Sequence, residues 1–307
     1  MSIRFDGRVA IVTGAGNGLG RTHALALAGR GAKVVVNDLG GARDGSGRSS
    51  AAAEEVVALI REQGGEAIAN GANVASPEEV SAMVAEAMDA WGRVDILVNN
   101  AGILRDKSFA KMELEDFRAV MEVHVMGAVH CCKAVWEIMR QQQYGRIVMT
   151  SSSSGLYGNF GQANYGAAKM ALVGLMNTLH LEGAKYGIHT NTLAPTAATR
   201  MTEDIIPDPR VLDLMTPESV TAGLLVLCCE QARSRQILCA GAGGYAQARI
   251  YETDGIYLAP EQQTPENVLA GWEELSSSQG QKELLVGGEQ TMKFVAKAAA
   301  ALGISLG

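Results

Sequence analysis

Residues 13–20 read T-G-A-G-N-G-L-G, directly after the β-branched run R-V-A-I-V-T and directly before a helical periodicity over residues 19–31. No other stretch limits the fold as strongly. Glycines at 14, 16, 18 and 20 let the backbone leave a buried strand, turn tightly and enter a helix whose N-terminus stays approachable. That N-terminus carries free N–H groups and partial positive charge, which suit a pyrophosphate. The order strand, glycine turn, helix separates this loop from a chance cluster of glycines.

The rest of the chain repeats the rhythm. Short apolar runs predict further strands over residues 33–37, 66–70, 94–98, 146–150, 188–193 and 236–240. Longer amphipathic patterns predict helices over 49–63, from Ser76 onward, over 113–143 with a break or bend near Gly127, over 162–186 and over 217–230. Ser76-Pro77-Glu78-Glu79 combines a capping hydroxyl, a first-turn proline and acids at the positive dipole end. Alternation with short links implies an α/β fold: a Rossmann-like doubly wound parallel sheet of about seven strands, with helices on both faces. Residues 1–245 are expected to form this domain. After Gly241 isolated aromatics and a Ser276–Ser278 patch take over, with an alanine-rich helix near residues 289–301. Residues 246–307 are therefore expected as a C-terminal extension packed on the domain or on a partner subunit, the last few residues being a partly flexible tail.

Such a fold binds ligands outside the C-terminal ends of its strands. The residues there form a coherent set. Gly14, Gly16, Asn17, Gly18, Leu19 and Gly20 make the phosphate turn. Asp38 ends the second strand, eighteen residues after Gly20, near the spacing at which an acid accepts hydrogen bonds from an adenine ribose. Its carboxylate would repel a 2′-phosphate, and Asn17 adds no base to the turn, so NAD is favoured over NADP. Arg43 and Arg48 in the next loop read as solvated charges. Asn73 and Val74, after the third strand, could flank the adenine. Asn99, Asn100, Ala101 and Gly102, after the fourth, lie where a ligand edge would pass.

The fifth strand leads into T-S-S-S-S-G-L-Y-G-N-F-G-Q-A-N-Y-G-A-A-K. Tyr165 and Lys169 are four residues apart, one helical turn on one face. A nearby ammonium favours the phenolate, which tunes the tyrosine toward acid–base work near neutral pH. A strand could deliver Ser152 to the same pocket. Alone, the spacing also fits a solvated lysine beside a core tyrosine. Beside a dinucleotide loop it reads as chemistry.

Several function classes are disfavoured. A net charge of -7 argues against a general binder of nucleic acid or anionic membrane. Neither a signal-peptide core nor a run of about 18 apolar residues occurs, so a cytoplasmic protein without membrane partners is expected. Cys131, Cys132, Cys228, Cys229 and Cys239 make no C-x-x-C and are odd in number. They read as buried thiols of a reducing compartment, not as a disulfide frame, and no metal site is expected.

Taken together, Thr13-Gly14-x-x-x-Gly18-x-Gly20, Asn99-Asn100-Ala101-Gly102, Ser152 and Tyr165-x-x-x-Lys169 resemble the short-chain dehydrogenase/reductase family in order and spacing, over residues 5 to about 240. Within it, R-F-D-G-R-V, V-V-N-D-L-G-G, N-N-A-G-I-L-R-D, Y-G-R-I-V-M-T-S-S, G-N-F-G-Q-A-N-Y, R-M-T and the long loop of residues 40–50 are similar to the (3R)-hydroxyacyl-CoA dehydrogenase branch. That branch includes a unit of peroxisomal multifunctional enzyme type 2, also described as a 17β-hydroxysteroid dehydrogenase. The present chain has no room for that enzyme's hydratase and sterol-carrier modules, so a stand-alone dehydrogenase is expected.

The resemblance implies an NAD-dependent oxidoreductase interconverting a secondary alcohol and a ketone. The substrate would be a (3R)-3-hydroxyacyl-CoA, with a hydroxysteroid or steroid-CoA as the alternative. It assigns proton transfer to Tyr165, the substrate oxygen to Ser152, and the tyrosine's pKa and the nicotinamide ribose to Lys169. It also implies that Asn99, Pro195 and Thr196 line the cofactor and that the protein is a homodimer or homotetramer. Arg105 and Lys107 could meet CoA phosphates or be solvated. The family's usual active-site asparagine is here His124, either a holder of a proton-relay water or a packing histidine on an apolar helix. Pro195-Thr196 replaces the usual Pro-Gly, and Thr199-Arg200-Met201 sits one residue early, so the substrate lid is expected to differ. A reading of another class is a catalytically silent dinucleotide sensor, which would have no need of Ser152, Tyr165 and Lys169.

Overall fold

A computed structural model describes residues 2–197, 210 and 213–306. Thr199, Arg200 and Met201, the expected lid segment, lie outside these residues. By contacts the chain divides into two compact units, Met1–Gln247 and Ala248–Gly307.

The first unit is built in chain order from β1 (Val9–Thr13), α1 (Gly18–Ala28), β2 (Lys33–Asn37), α2 (Ala51–Glu62), β3 (Ala67–Asn70), α3 (Pro77–Trp91) and β4 (Ile96–Asn99). There follow α4 (Leu114–Met121), α5 (Gly127–Gln142), β5 (Gly145–Thr150), α6 (Ser153–Tyr157), α7 (Ala163–Gly183), β6 (Ile188–Thr196), α8 (Pro217–Cys228), β7 (Ile237–Gly241) and β8 (Gly244–Ala248). The sheet has 8 strands in the order β3-β2-β1-β4-β5-β6-β7-β8, and β1 to β7 pair in parallel. The order reverses between β1 and β4, so the carboxyl ends of these two strands frame a crevice at the switch point.

Alternation along the strands feeds two cores. Ala10, Val12, Val34, Val36, Ile96 and Val98 pack with Leu27 of α1, Ile60 of α2 and Leu224 of α8. Ile11, Val35, Leu97, Ile147 and Met149 pack with Met83 of α3, Val135 and Met139 of α5 and Leu172 of α7. Burying each such side chain contributes roughly 1.5–3 kcal/mol, which makes the strands near-continuous apolar runs. The amino ends of the strands carry a second lock. The fully buried Asp95 carboxylate accepts from Arg8 at 3.0 Å, Arg93 at 2.7 Å and the Val9 N–H at 2.9 Å. Tyr144 lies between the Arg8 and Arg146 guanidinium groups, 3.6 and 4.2 Å from its ring centre.

Helix α3 begins as its sequence predicts: Ser76 accepts from the Glu79 N–H at 3.2 Å, and Gly92 ends it in the left-handed region. The expected break near Gly127 is a π-helical turn over Glu122–Met126, between α4 and α5. Two elements of this unit were not expected. One is α6, a short helix capped by Ser152. The other is β8, which raises the strand count from seven to eight and crosses the expected boundary at residue 245. Its turn from β7 is Ala242-Gly243, both at positive φ, as a tight hairpin turn requires. The cysteines are free thiols, four of them buried, and Cys239 is partly buried. No helix among the described residues is long and apolar enough to cross a membrane.

The second unit holds α9 (Pro265–Ala270), α10 (Trp272–Leu275) and α11 (Gly287–Ala301), the last being the expected alanine-rich helix. Lys293 and Lys297, one turn apart on α11, tie back to Glu252 and Asp254 and to the carbonyls of Thr253 and Gly255.

Candidate active site

Thr13, the last residue of β1, organises the cleft at the switch point. Its Oγ1 accepts from the N–H groups of Asn100 and Ala101 at 3.0 and 3.1 Å, while the Asn100 amide donates to the carbonyls of Thr13 and Gly14, both at 3.0 Å. The turns after β1 and β4 are thereby held together. Gly20 permits this: a Cβ there would overlap the Gly14 carbonyl oxygen and the Asn100 amide. Asn17 caps α1 without using its side chain, so the helix's first N–H groups remain open to an anion.

The cleft has a volume of ≈ 430 Å³. Of the expected residues, Gly14, Asn17, Gly18, Leu19, Asp38, Asn73, Val74, Ala101 and Gly102 line it. Asp38 accepts from the N–H groups of Gly16 and Gly40, both at 2.7 Å. Two hydrogen bonds fix the carboxylate and leave it lone pairs for further donors. The 40–50 loop folds over as a wall, through Ser49 N–H to Leu39 O at 2.9 Å and Leu104 N–H to Arg43 O at 3.0 Å. Arg48 pairs with Glu79 at 2.7 Å.

Gly16, Gly20, Asn99, Tyr165, Lys169, Pro195 and Thr196 do not line this cleft. Asn99 is buried, and its amide donates to the sulfurs of Cys132 and Met149 at 3.5 and 3.4 Å. Asn100 takes the lining position instead. Arg105 and Lys107, read as possible phosphate contacts, share the Asp116 carboxylate at 3.2 and 3.3 Å.

Beyond the cleft, α6 and α7 bring Ser152, Tyr165 and Lys169 together. Ser151 is buried and donates to the Lys169 carbonyl at 2.8 Å, and Ser154 donates to Gln162 at 2.7 Å. These flanking serines fasten the helices. Ser152 is the one whose hydroxyl acts on the Tyr165 phenol, favouring its ionised form, while it also accepts from the Ser154 N–H at 3.2 Å. Asn164 was not expected. Fully buried, it donates to the Arg105 carbonyl at 3.0 Å and accepts from the Tyr165 N–H at 2.7 Å, tying the start of α7 to the segment after β4. A buried amide in the small-residue run Q-A-N-Y was the available signal.

Lys169 is buried, donates to the Thr150 carbonyl at 2.6 Å and lies 5.3 Å from the Tyr165 ring centre. Burial pulls its ammonium down to about 7. Tyr165 is pushed up to about 12 by burial, with the Ser152 hydrogen bond opposing and the Asp106 charge adding. This differs from the expectation that Lys169 holds the phenol below its ordinary value: burial raises it, and the opposing influence comes from Ser152. The pair holds a protonated phenol beside an amine that titrates near neutrality.

His124 sits in the π-helical turn, edge-on to Tyr165 with ring centres 5.3 Å apart. Its Nε2 lies 3.1 Å from the Ile103 N–H and 2.9 Å from the Ile103 carbonyl, and its Nδ1 is buried without a hydrogen-bond partner. Burial first, and the Lys169 charge second, push it down to about 3, so the imidazole is neutral. Gly102 makes room for it, since a Cβ there would overlap the imidazole. The ring therefore packs between the turn after β4 and the phenol, with one nitrogen unspent.

Residues 8–210 match the short chain dehydrogenase family model. The chain belongs to this family. It is 51% identical over 276 residues to a protein of Mycobacterium tuberculosis named as a short-chain type dehydrogenase/reductase, covering 90% of this chain and 96% of that one. The solved structure of full-length peroxisomal multifunctional enzyme type 2 from Drosophila melanogaster is 36% identical, with a TM-score of 0.81. The match covers 98% of this chain and 51% of that one, so the chain spans about half of that enzyme. A 7α-hydroxysteroid dehydrogenase solved with NADH and 7-oxo glycochenodeoxycholic acid is 32% identical, with a TM-score of 0.71, over 80% of this chain and 96% of that one. The dehydrogenase is thus an oxidoreductase acting on CH–OH groups, in a family that uses NAD(P) on small molecules and is often oligomeric.

Proposed function

We propose that this dehydrogenase interconverts a (3R)-3-hydroxyacyl-CoA and its 3-oxoacyl-CoA with NAD. What supports the chemistry is the nearness of Ser152, Tyr165 and Lys169 to one another and to the cleft of the glycine turn and Asp38. The substrate class is supported by the likeness to peroxisomal multifunctional enzyme type 2 over 98% of the chain. The cleft fits the cofactor in two respects. A Cβ at Gly16 would overlap the Asp38 carboxylate, so the turn keeps that group clear, and the carboxylate is fixed just after β2, where it favours ribose hydroxyls over a 2′-phosphate.

When bound, the nicotinamide supplies the hydride acceptor or donor. The protein's own groups handle the proton. Ser152 holds the substrate oxygen, and Tyr165 gives its proton to that oxygen in reduction or takes one in oxidation. Lys169 would hold the nicotinamide ribose and offset charge that develops on the phenol. His124 keeps the Ile103 backbone and the phenol ring in register. A homodimer or homotetramer follows the family habit. The hydroxysteroid reading persists as a second one because of the likeness to a 7α-hydroxysteroid dehydrogenase.

The substrate proposal has a direct check. A 3-oxoacyl-CoA should bind at least about tenfold more tightly than the matching 3-oxoacyl-pantetheine, equivalent to ~1.4 kcal/mol. Titration calorimetry giving equal affinities would remove the CoA part of the proposal.

A further inference from the structure

Residues 40–48 form a loop whose ends meet, since the Ser49 N–H donates to the Leu39 carbonyl at 2.9 Å. Inside it the Ala42 N–H donates to the Ser46 carbonyl at 2.6 Å, and Ser46 donates to Asp44 from its N–H at 3.0 Å and its hydroxyl at 2.7 Å. Compact closed loops of this kind are frequently functional. Ala42, Arg43 and Gly45 line the cleft from the side of β2, and Gly102, Ile103 and Arg105 line it from the side of β4. The loop tip joins these two walls. The Arg43 carbonyl accepts from the Leu104 N–H at 3.0 Å, the Asp44 carbonyl accepts from the Arg105 Nε at 3.1 Å, and Gly45 lies against the Ile103 side chain. The foot of the loop is held separately. Arg48 donates to the Gly71 carbonyl at 2.9 Å and to Glu79 at 2.7 Å, and the same Glu79 oxygen accepts from the Asn73 N–H at 3.0 Å. Asn73 lines the cleft, whereas Arg48 and Glu79 do not.

The two walls are not equally fixed. On the β4 side the Ile103 N–H meets the buried His124 Nε2 at 3.1 Å, and the Arg105 carbonyl accepts from Asn164 at 3.0 Å. On the other side no residue from 39 to 50 is buried, so the loop is held by accessible hydrogen bonds and has no core of its own. Segments held this way open at low cost. A dinucleotide lying between Asp38 and the turn after β4 has these joined walls at its rim, so the tip must lift before it can leave. We propose that residues 40–48 are a clasp that sets how fast the dinucleotide enters and leaves, with Arg48 and Glu79 as positioning residues that hold its foot against Asn73. This rests on the reading of the cleft as a dinucleotide site and goes beyond it, by assigning a role to two residues outside the cleft.

A reversible lock in the full chain tests the clasp. A Cβ built at Gly45 lies 3.8 Å from the Ile103 Cβ, a separation that suits a disulfide. Gly45→Cys/Ile103→Cys can therefore be joined with oxidised glutathione, checked by thiol titration and reopened by a reductant. Gly45 has positive φ, and the strain of a cysteine there is common to both redox states. Stopped-flow fluorescence of NADH reads the rates. Against the same protein reduced, the bond should slow NADH entry at least about tenfold, and a bond made after NADH has bound should slow its release at least about tenfold. Unchanged rates in the bonded protein overturn the clasp. Failure of the wild-type protein to bind NADH at all would instead overturn the dinucleotide reading, and the clasp with it. Arg48→Ala needs no new bond, and it decides the matter if the cysteine pair does not fold or does not join. Release should quicken about two- to fivefold, the weight of an exposed ion pair, the KM for NAD should rise alongside, and Arg48→Lys should restore both. Unchanged release from an Arg48→Ala protein that melts with wild type overturns the positioning role.

Discussion

Tyr165→Phe should lower kcat by about 10²–10⁴-fold, the usual weight of a positioned acid–base group, while leaving dinucleotide affinity nearly unchanged. The separation is expected because Tyr165 does not line the cleft that holds Asp38 and the glycine turn. The ring, its edge contact with His124 and the Asn164 bond to the Tyr165 N–H all survive the substitution. Stopped-flow turnover alongside dinucleotide titration reads both quantities. A variant with near-wild-type turnover would show that another group moves the proton. The pH profile adds a second reading. Because burial drives the phenol up to about 12, the protonated form dominates in the free enzyme. Reduction of the ketone should therefore hold its rate toward alkaline pH better than oxidation holds its rate toward acid.

Lys169→Met should make the cofactor-free protein more stable and much less active. Lys169 falls from the ordinary 10.5 to about 7 because it is buried. A folded-state value below the unfolded one means that the unfolded chain binds more protons between these limits, so wild-type stability rises as pH climbs from about 7 to 10.5. Below about 7 the full cost of burying the charge is present, on the order of 5 kcal/mol before the bond to Thr150 is counted against it. The variant should therefore melt several degrees above wild type at pH 6, and the difference should shrink steadily toward pH 10. Denaturant melts across that range test the sign. A variant less stable than wild type at pH 6 would show that the Thr150 bond outweighs desolvation. A buried lysine that costs stability is a mark of a functional site.

The fold was legible because its signals are local and mutually consistent. The central parallel strands β1, β4 and β5 are buried on both faces and read as apolar runs, and α3 carries its own start and stop in Ser76 and Gly92. β8 was missed for the opposite reason. It is an exposed edge strand, G-Y-A-Q-A, without alternation, and it follows an Ala-Gly turn where Asn-Gly is the recognisable form. The glycine turn, Asp38 and the Tyr165–Lys169 spacing were legible because one strand end or one helical turn sets each of them. Long-range polar contacts were not. The turn of Asn99 toward Cys132 and Met149, the bridging by Asn100 and the hold of Asn164 on Arg105 depend on neighbours far away in the chain. The phenol's pKa belongs to the same class. Spacing places an ammonium near Tyr165, but only the packed structure shows that burial raises the phenol.

The central claim is that a cleft selecting NAD feeds a Ser152–Tyr165–Lys169 site acting on a 3-hydroxyacyl-CoA. Initial-rate measurement of reduced dinucleotide formed from (3R)- and (3S)-3-hydroxyacyl-CoA, each with NAD and with NADP, tests it most directly. The account predicts turnover of the 3R substrate with NAD, at a kcat/KM for NAD at least about tenfold above that for NADP, the effect of ~1.4 kcal/mol at Asp38. No reduced dinucleotide from either acyl-CoA, in a protein that still binds NAD, would contradict it.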